Sequence, residues 1–492
     1  MRVHSPNGAE LDSRPPQERQ GQDTAEIDPR GRRLLGGVVA LGVLVRLIFL
    51  ALSGELELWA DEAHYVQLAA MWSRFGFYMG SPGHLWPPIY PAFLSLVLSW
   101  FGEHGITAAQ VCQVLLCGIV GASIVLLAHR LFSYRAALVA GLLWAGYLPL
   151  IAYSHLLWPE TLFLCFLLPA VYLFTTLLGS ELSPRQIRVR LVAVGALLGL
   201  AILTKEAALP LPVLFGLLLI GSRSRDSLGL RTIRAALLVL STVVVVLPWT
   251  FRNAEVYGRW VVGGSTLGKN MHWGVNAKYI NFDYTGSGME RIEASEGPFR
   301  RWLLEPPPDS VWPQSRAANL IDRSNENVHR GLGFARAYPE FYLRTRVKRL
   351  ADWVTPLSFF DRHYRRRLYQ GRLDLIGVRR TLIGLSVLST MLVMAAALPG
   401  LFWVLPGGTH RILLAIVFLA FLVPVAIIAM SRYRVPVEPL MLVLAAGFFA
   451  SAGKWRGPRR WEWAAVISGW VALVGLWLVN AKEVWIELAP FF

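Results

Sequence analysis

The reading of the fold turns on residues 34–54, LLGGVVALGVLVRLIFLALSG, and on residues 58–76 just after them, LWADEAHYVQLAAMWSRFG. The first run is long enough to cross a bilayer, because about 20 apolar residues reach through the hydrocarbon core. The second places Asp61 and Glu62 side by side at the mouth of that span. Packing in lipid gives no reason for two acids at that point.

The rest of the 492 residues repeats the apolar theme. Hydrophobic residues make up 54% of the chain and charged residues 16%, against roughly 25% charged in soluble domains. Mean hydropathy is +0.46. Only helices or closed barrels satisfy every backbone group in lipid, and the alternation of barrel strands is absent. The composition therefore predicts an all-α polytopic membrane protein. Spans are expected near 34–53, 106–128, 136–153, 160–178, 190–204, 207–221, 235–251, 381–405, 412–430, 436–452 and 463–480, about eleven in all. Residues 1–33 are polar and Pro-containing. They read as a disordered cytoplasmic tail and not as a cleavable signal peptide.

Net charge is +16. It sits in short loops between spans, so orientation in the membrane and lipid headgroups account for it better than nucleic acid does. The three cysteines, Cys112, Cys117 and Cys165, fall in apolar runs and form no disulfide framework or metal-ligand spacing. No cofactor is expected, and no ligand set supports a divalent metal.

Charge also orients the chain. RGRR before the first span, HRLFSYR at 129–135, SPRQIRVR at 183–190, RSRDSLGLRTIR at 223–234 and KWRGPRR at 454–460 share one side only if PPIYPAFLSLVLSWFG, residues 87–102, does not cross. The positive-inside rule then makes 87–102 an interfacial helix within a first outer loop, 54–105, and makes the N-terminus cytoplasmic. Residues 34–251 form a transmembrane module, 252–378 an outer insertion of mixed structure, and 379–492 the C-terminal transmembrane helices. Within the insertion, LGFARAYPEFYLRTRVKRLADWVTP reads as two helices broken at Pro339.

This topology gathers the unusual polar residues on the outer face. Asp61 and Glu62 suit a helix start, as cap and first-turn charge. They equally suit a base that takes a proton from an acceptor hydroxyl, beside a second acid that orients the acceptor. Glu160 opens a span after Pro159, another position where a helix dipole favours an acid. Lys205 and Glu206 interrupt a long apolar run, where a charge costs about 2.5–3.5 kcal/mol on insertion scales and tends to line a cavity. Arg432 and Arg434 in SRYR could grip phosphate through their fixed donor forks, or could simply meet lipid headgroups. Arg252, Asn253, Asn270, Trp273 and Asn276 lie in or beside a Gly-rich stretch, and amides with an aromatic platform are a usual way to hold a sugar. Tyr433 stands between the two arginines. A substrate with a lipid tail, a phosphate and a polar head would match the whole set.

In this order the motifs WADEAHY, WPPIYPAFLSLVLSWFG, HLLWPETLFLCFLL, LLGLAILTKEAALPLP, PWTFRN and RYRVPVEPLMLVLAAG resemble the GT-C membrane glycosyltransferases. The group most resembled is the bacterial relatives of protein O-mannosyltransferases and lipid A aminoarabinose transferases. The resemblance implies a polyprenyl-phosphate-linked sugar donor and transfer on the outer face of the cell membrane to a lipid, glycan or protein acceptor. It implies Asp61 as the catalytic acid of the first loop and Glu62 as the second acid of the pair. Arg432, Arg434, Lys205 and Arg252 are then expected on the donor phosphate. Glu160, Glu206, Asn253, Asn270, Asn276, Trp273 and Tyr433 are expected on the rest of the substrate. The rival readings are a lipid-linked sugar flippase, which would be expected to show internal repeats, and a membrane scaffold without activity.

Overall fold

The computed structural model of the chain describes residues 28–54, 57–59, 61–76, 85–178, 182–222, 226–275, 318–366, 368–405, 408–422, 427, 430–452 and 457–489. All regular elements among the described residues are helical, with no strand. Seven helices are long and apolar enough to cross a membrane, eight if one bent pair is a single span, and three further apolar helices are shorter. Residues 1–27 of the expected tail and 276–317 of the expected insertion lie outside the described residues, and Asn276 with them.

Helix α1 (Pro29–Leu52) begins earlier than the expected boundary at residue 34. Asp28 Oδ1 accepts the Gly31 N–H at 2.8 Å, and Pro29 at the first helical position supplies the fixed φ of a helix start. The basic RGRR segment is therefore helical. The first loop carries two helices, α2 (Asp61–Phe75) and α3 (Ile89–Phe101). At 1.5 Å per residue each is about 20 Å long, short of the roughly 30 Å hydrocarbon core. α3 folds back along α4 (Gly105–Leu131). The Tyr90 hydroxyl donates to Gln113 Oε1 at 2.7 Å, and Gly105 lies so close to Leu98 that a Cβ would meet its side chain at 2.6 Å. Residues 87–102 thus return beside the start of α4.

The next span is broken. α5 (Tyr134–Gly146) and α6 (Leu148–His155) meet at an angle of 58°. The break leaves the Trp144 carbonyl with only a long bond from the Tyr147 N–H, 3.5 Å, and Arg46, fully buried on α1, supplements it. Its Nη2 donates to Trp144 O at 3.0 Å and its Nη1 to Gly42 O at 2.9 Å. The guanidinium also lies 4.0 Å from the Trp144 ring centroid. Beyond α6 the chain runs without helix to α7 (Glu160–Leu177), and α4 supplies partners for that stretch. Gln113 Nε2 donates to Leu156 O at 2.7 Å and Gln110 Nε2 to His155 O at 3.2 Å. Irregular backbone at membrane depth survives only where such partners exist.

α8 (Pro184–Thr204) then packs on α10 (Leu228–Tyr257). Gly195 and Gly199, four apart, let the backbones touch: a Cβ at Gly195 would stand 2.4 Å from Leu238 O. Between them in sequence lies the short α9 (Leu211–Ile220). The described parts of the insertion are α11 (Leu267–Trp273), α12 (Ala318–Ala337), α13 (Pro339–Val354) and α14 (Phe359–Arg365). The α12–α13 break falls at Pro339 as expected. The non-helical regular structure expected of the insertion is not found among the described residues. The chain closes with α15 (Ile376–Pro399), α16 (Thr409–Leu422), α17 (Glu438–Ala450), α18 (Arg460–Val479) and α19 (Ala481–Leu488). α17 is buried along its length from Glu438 to Gly447 and forms the middle of the bundle.

The fold yields a topological expectation. A reporter inserted after Gly102 should lie on the same side of the membrane as one placed near Arg74, and one inserted after Phe132 on the opposite side. Reporters at Gly102 and Phe132 on one side would mean that α3 crosses.

Candidate active site

Four element ends converge on one guanidinium. Asp61 is the first residue of α2, Glu160 the first of α7, and Lys205 caps the end of α8. Arg432 sits in a one-turn 3₁₀ helix, Ser431–Arg434. Arg432 Nε donates to Glu160 Oε1 at 2.5 Å and Nη2 to Glu160 Oε2 at 3.3 Å. The remaining nitrogen, Nη1, donates to Asp61 Oδ2 at 2.5 Å. Lys205 Nζ completes the cluster at 2.7 Å from Glu160 Oε1. The Trp158 ring centroid lies 3.9 Å from Arg432 Cζ, a cation–π contact on the guanidinium face.

The two carboxylates differ in access. The Glu160 side chain is 1% exposed and that of Asp61 34%. A buried carboxylate without partners is strongly unfavourable, and removing one partner of a buried ion pair costs about 3–5 kcal/mol. Two cations on Glu160 meet that need. Asp61 instead opens onto a cavity of about 710 Å³ that Lys205, Arg432 and Tyr433 also line. Tyr65 and Trp86 from the first loop, Asn270 and Trp273 from α11, and Ser324 and Asn325 from α12 line it too. Leu209, Pro210, Ile202 and Ala420 give it an apolar side. Among the described residues no group of three or more His, Cys, Asp or Glu is placed to hold a metal ion.

Residues 86–249 match the family model described as dolichyl-phosphate-mannose-protein mannosyltransferase. In structure the chain is similar to the archaeal oligosaccharyltransferase AglB from Archaeoglobus fulgidus, in complex with an inhibitory peptide and a dolichol-phosphate. The TM-score is 0.50, with 13% identity over 93% of this chain and 56% of that one. The chain has the GT-C fold. The apo form of the Archaeoglobus enzyme gives a TM-score of 0.47, 12% identity, and coverage of 92% and 56%. ArnT from Cupriavidus metallidurans, bound to undecaprenyl phosphate, gives 0.40, 17% identity, and coverage of 92% and 79%. The chain spans just over half the length of the archaeal enzyme. No curated protein matches it in sequence.

Within this GT-C frame the expected site residues separate. Asp61, Lys205, Arg432, Tyr433, Asn270 and Trp273 share the cavity wall. The cation bound to Asp61 is Arg432, while Lys205 is bonded to Glu160, which lies behind the wall. Arg434 is not at the cavity. It is 0% exposed, with Nε on Glu438 Oε1 at 2.8 Å and Nη1 on the Trp353 and Thr355 carbonyls at 2.8 and 2.7 Å. Its expected phosphate contact is therefore corrected to a structural one. The same correction applies to Arg252 and Asn253. Arg252 stacks on Trp249 and Tyr257, 4.8 and 4.9 Å to the ring centroids, and Asn253 Nδ2 donates to Val261 O at 2.9 Å.

Two acids expected on the substrate hold backbone instead. Glu206 lines the cavity, but its carboxylate accepts the Gly264 N–H at 2.8 Å and the Thr266 hydroxyl. Glu62 Oε1 accepts the Leu157 N–H at 2.7 Å and Oε2 the Trp59 N–H at 3.0 Å. It fixes the stretch that delivers Trp158 and Glu160. The sequence reading did not single out Trp158, Tyr65 or Trp86. Tyr65 had a usable signal, since it lies four residues after Asp61 on the same helix face.

Burial raises the Glu62 carboxyl to about 7, against the opposing effect of its two N–H partners. A folded pKa above the ordinary 4.5 contributes stability that is present at low pH and lost as pH rises through the folded value. Between about pH 5 and 8 the wild type should therefore lose thermal stability more steeply than Glu62→Gln. The variant should be less stable overall by about 1–3 kcal/mol, because its amide N–H₂ would face a backbone N–H. Thermal unfolding in detergent across that range checks both, and parallel slopes would show that Glu62 does not titrate there.

Proposed function

We propose that the chain transfers a sugar from a polyprenyl-phosphate-linked donor to an acceptor hydroxyl at the outer membrane boundary, with inversion at the anomeric carbon. The observation that carries this reading is the shared cavity. Asp61 and two cations, Arg432 and Lys205, line one chamber that also has aromatic, amide and apolar sides. The match to a mannosyltransferase family model over residues 86–249 supports it, as does the fold shared with an oligosaccharyltransferase that was captured with a dolichol-phosphate.

The acceptor oxygen attacks the anomeric carbon as the bond from that carbon to the phosphate oxygen breaks. The bonding pair leaves with the polyprenyl phosphate, which gains negative charge as it departs. Arg432 and Lys205 stabilise that charge in a poorly hydrated setting, where fixed cations act most strongly. Asp61 takes the hydroxyl proton. Phosphate is already a good leaving group, so a strong general acid opposite Asp61 is unnecessary. Asn270 and Trp273 supply the amide and the aromatic surface for the sugar. Glu160 keeps both cations charged and in place without touching substrate.

The first step of the test identifies the lipid-linked sugar that co-purifies with the protein by mass spectrometry, and this lipid then serves as donor. Asp61→Asn keeps the shape and one acceptor oxygen but removes basicity. Transfer should fall about 100-fold or more, the scale of general-base catalysis, while donor affinity does not fall, because a neutral amide competes less than a carboxylate for Arg432 Nη1. If Asp61 served only the helix start, Asn would do nearly as well there, so a folded Asp61→Asn protein with normal transfer overturns the reading. Arg432→Lys should weaken donor binding by roughly 1.5–3 kcal/mol, the worth of a charge-assisted contact, because a single ammonium lacks the planar fork that reaches Glu160 and Asp61 from separate nitrogens. Donor binding at wild-type strength in that variant would remove Arg432 from the phosphate.

A further inference from the structure

Arg432 reaches the cavity from a single 3₁₀ turn, closed by Tyr433 N–H to Met430 O at 3.0 Å and Val435 N–H to Arg432 O at 3.2 Å, and these local bonds do not fix where the turn lies. Helix α13 is tied to the chain on both sides of it. Five residues before Arg432, Arg346 Nη1 donates to the Ile427 carbonyl at 3.1 Å. Two residues after Arg432, Arg434 Nη1 donates to the Trp353 and Thr355 carbonyls, at the C-terminal end of α13. One helix thus holds the Arg432 segment at two points, about 8 residues or 12 Å apart along its axis by helix rise.

The same helix holds the opposite wall. Arg346 Nη2 donates to Gly274 O at 2.6 Å, and Arg349 Nη2 to Trp273 O at 2.8 Å. These carbonyls close the C-terminal end of α11, where cationic donors are favoured by the helix dipole. Gly274 and Ile427 touch directly: a Cβ at Gly274 would lie 1.6 Å from Ile427 O. Only glycine permits that approach, and the Arg346 fork spans it. Trp273 and Ile427 both line the cavity.

We infer that Arg346 is a positioning residue for phosphate binding, acting through the Gly274–Ile427 junction on Arg432 and on the Trp273 wall. This rests on the reading above in one respect, that Arg432 meets the lipid phosphate. Arg346 itself bonds the two backbone carbonyls and the neighbouring Thr345 hydroxyl, the latter from Nη2 at 3.0 Å, and its guanidinium lies 4.4 Å from the Tyr342 ring centroid. The planar fork is what the role requires, since two carbonyls on two separate segments are bridged by two nitrogens of one rigid group. With the bridge cut, the Arg432 segment keeps its anchor at Arg434 and loses the one at Ile427.

The test measures binding of undecaprenyl phosphate to the purified full-length chain, in the wild type and in Arg346→Gln, Arg346→Lys, Arg432→Lys and the double variant Arg346→Gln/Arg432→Lys. Arg346→Gln should weaken binding by roughly 5- to 20-fold, with Arg346→Lys between it and the wild type. The loss should shrink to less than about twofold in the Arg432→Lys background, because coupled residues do not add. An equal loss in both backgrounds, or a lower thermal midpoint with unchanged affinity, overturns the inference and leaves Arg346 a framework residue. If Arg432→Lys alone binds as the wild type does, the phosphate role of Arg432 fails, and this inference fails with it. Gly274→Ala strains the same junction from the other side. If Arg346→Gln does not fold, Gly274→Ala and Arg346→Lys carry the comparison, and additivity of either with Arg432→Lys is the result that refutes it.

Discussion

The site depends on the burial of Glu160. A carboxylate so enclosed cannot stay charged alone, and the chain answers with Arg432 and Lys205 together. Two acids and two bases, Asp61, Glu160, Arg432 and Lys205, sum to zero. A neutral cluster is what a poorly hydrated boundary tolerates, yet it contains two cations that an incoming anion can use. The contacts are unequal. Glu160 holds Arg432 through two nitrogens from a closed position, and Asp61 holds it through one from an open position. On the proposed reading a donor phosphate therefore competes with Asp61 for Nη1 and leaves the Glu160 pair standing. The arrival of the donor would then release the carboxylate that the acceptor needs.

The arrangement requires the charged ends to meet, and a defect in the fold provides for this. α5 and α6 break at 58°, and the chain between α6 and α7 is not helical. In lipid such a stretch would leave carbonyls and N–H groups without partners. Arg46, Gln110 and Gln113 take up the carbonyls, and Glu62 takes up the Leu157 N–H. The break sets Trp158 and Glu160 behind the cavity wall, against Arg432, instead of inside a continuous span. Polar residues within an apolar bundle are here the cost of holding an irregular segment at a fixed place.

Much of this was legible in the sequence. Hydropathy gave the helical class, and Pro339 marked the α12–α13 break. Charges at the ends and interruptions of apolar runs singled out Asp61, Glu160, Lys205 and Arg432, which meet in space. What the sequence left hidden was direction. It could not show that Arg252 lies down on Trp249 and Tyr257, nor that Asn253 turns to Val261. Both depend on how a Gly-rich loop returns to a helix end, a tertiary matter that no periodicity encodes. Arg346 and Arg349 were invisible for a different reason. Their partners on other segments are backbone carbonyls, and any residue supplies a carbonyl.

The charged pairs obey one rule. Asp61 and Glu62, Lys205 and Glu206, and Arg432 and Arg434 each look like a unit in sequence. In each pair one member faces the cavity's ionic cluster and the other binds backbone. Glu62 holds Leu157 and Trp59, Glu206 holds Gly264 and Thr266, and Arg434 holds Trp353 and Thr355. The geometry explains the division. Residues one or two apart on a helix or turn do not share a face, so a site residue's neighbour turns toward the scaffold, even where, as with Glu206, it still borders the cavity. There it meets the free N–H or C=O groups that helix ends and loops leave behind. A site assembled from element ends needs both partners. One residue of each pair supplies the charge at the cavity, and its neighbour fixes the loop that holds that charge in position.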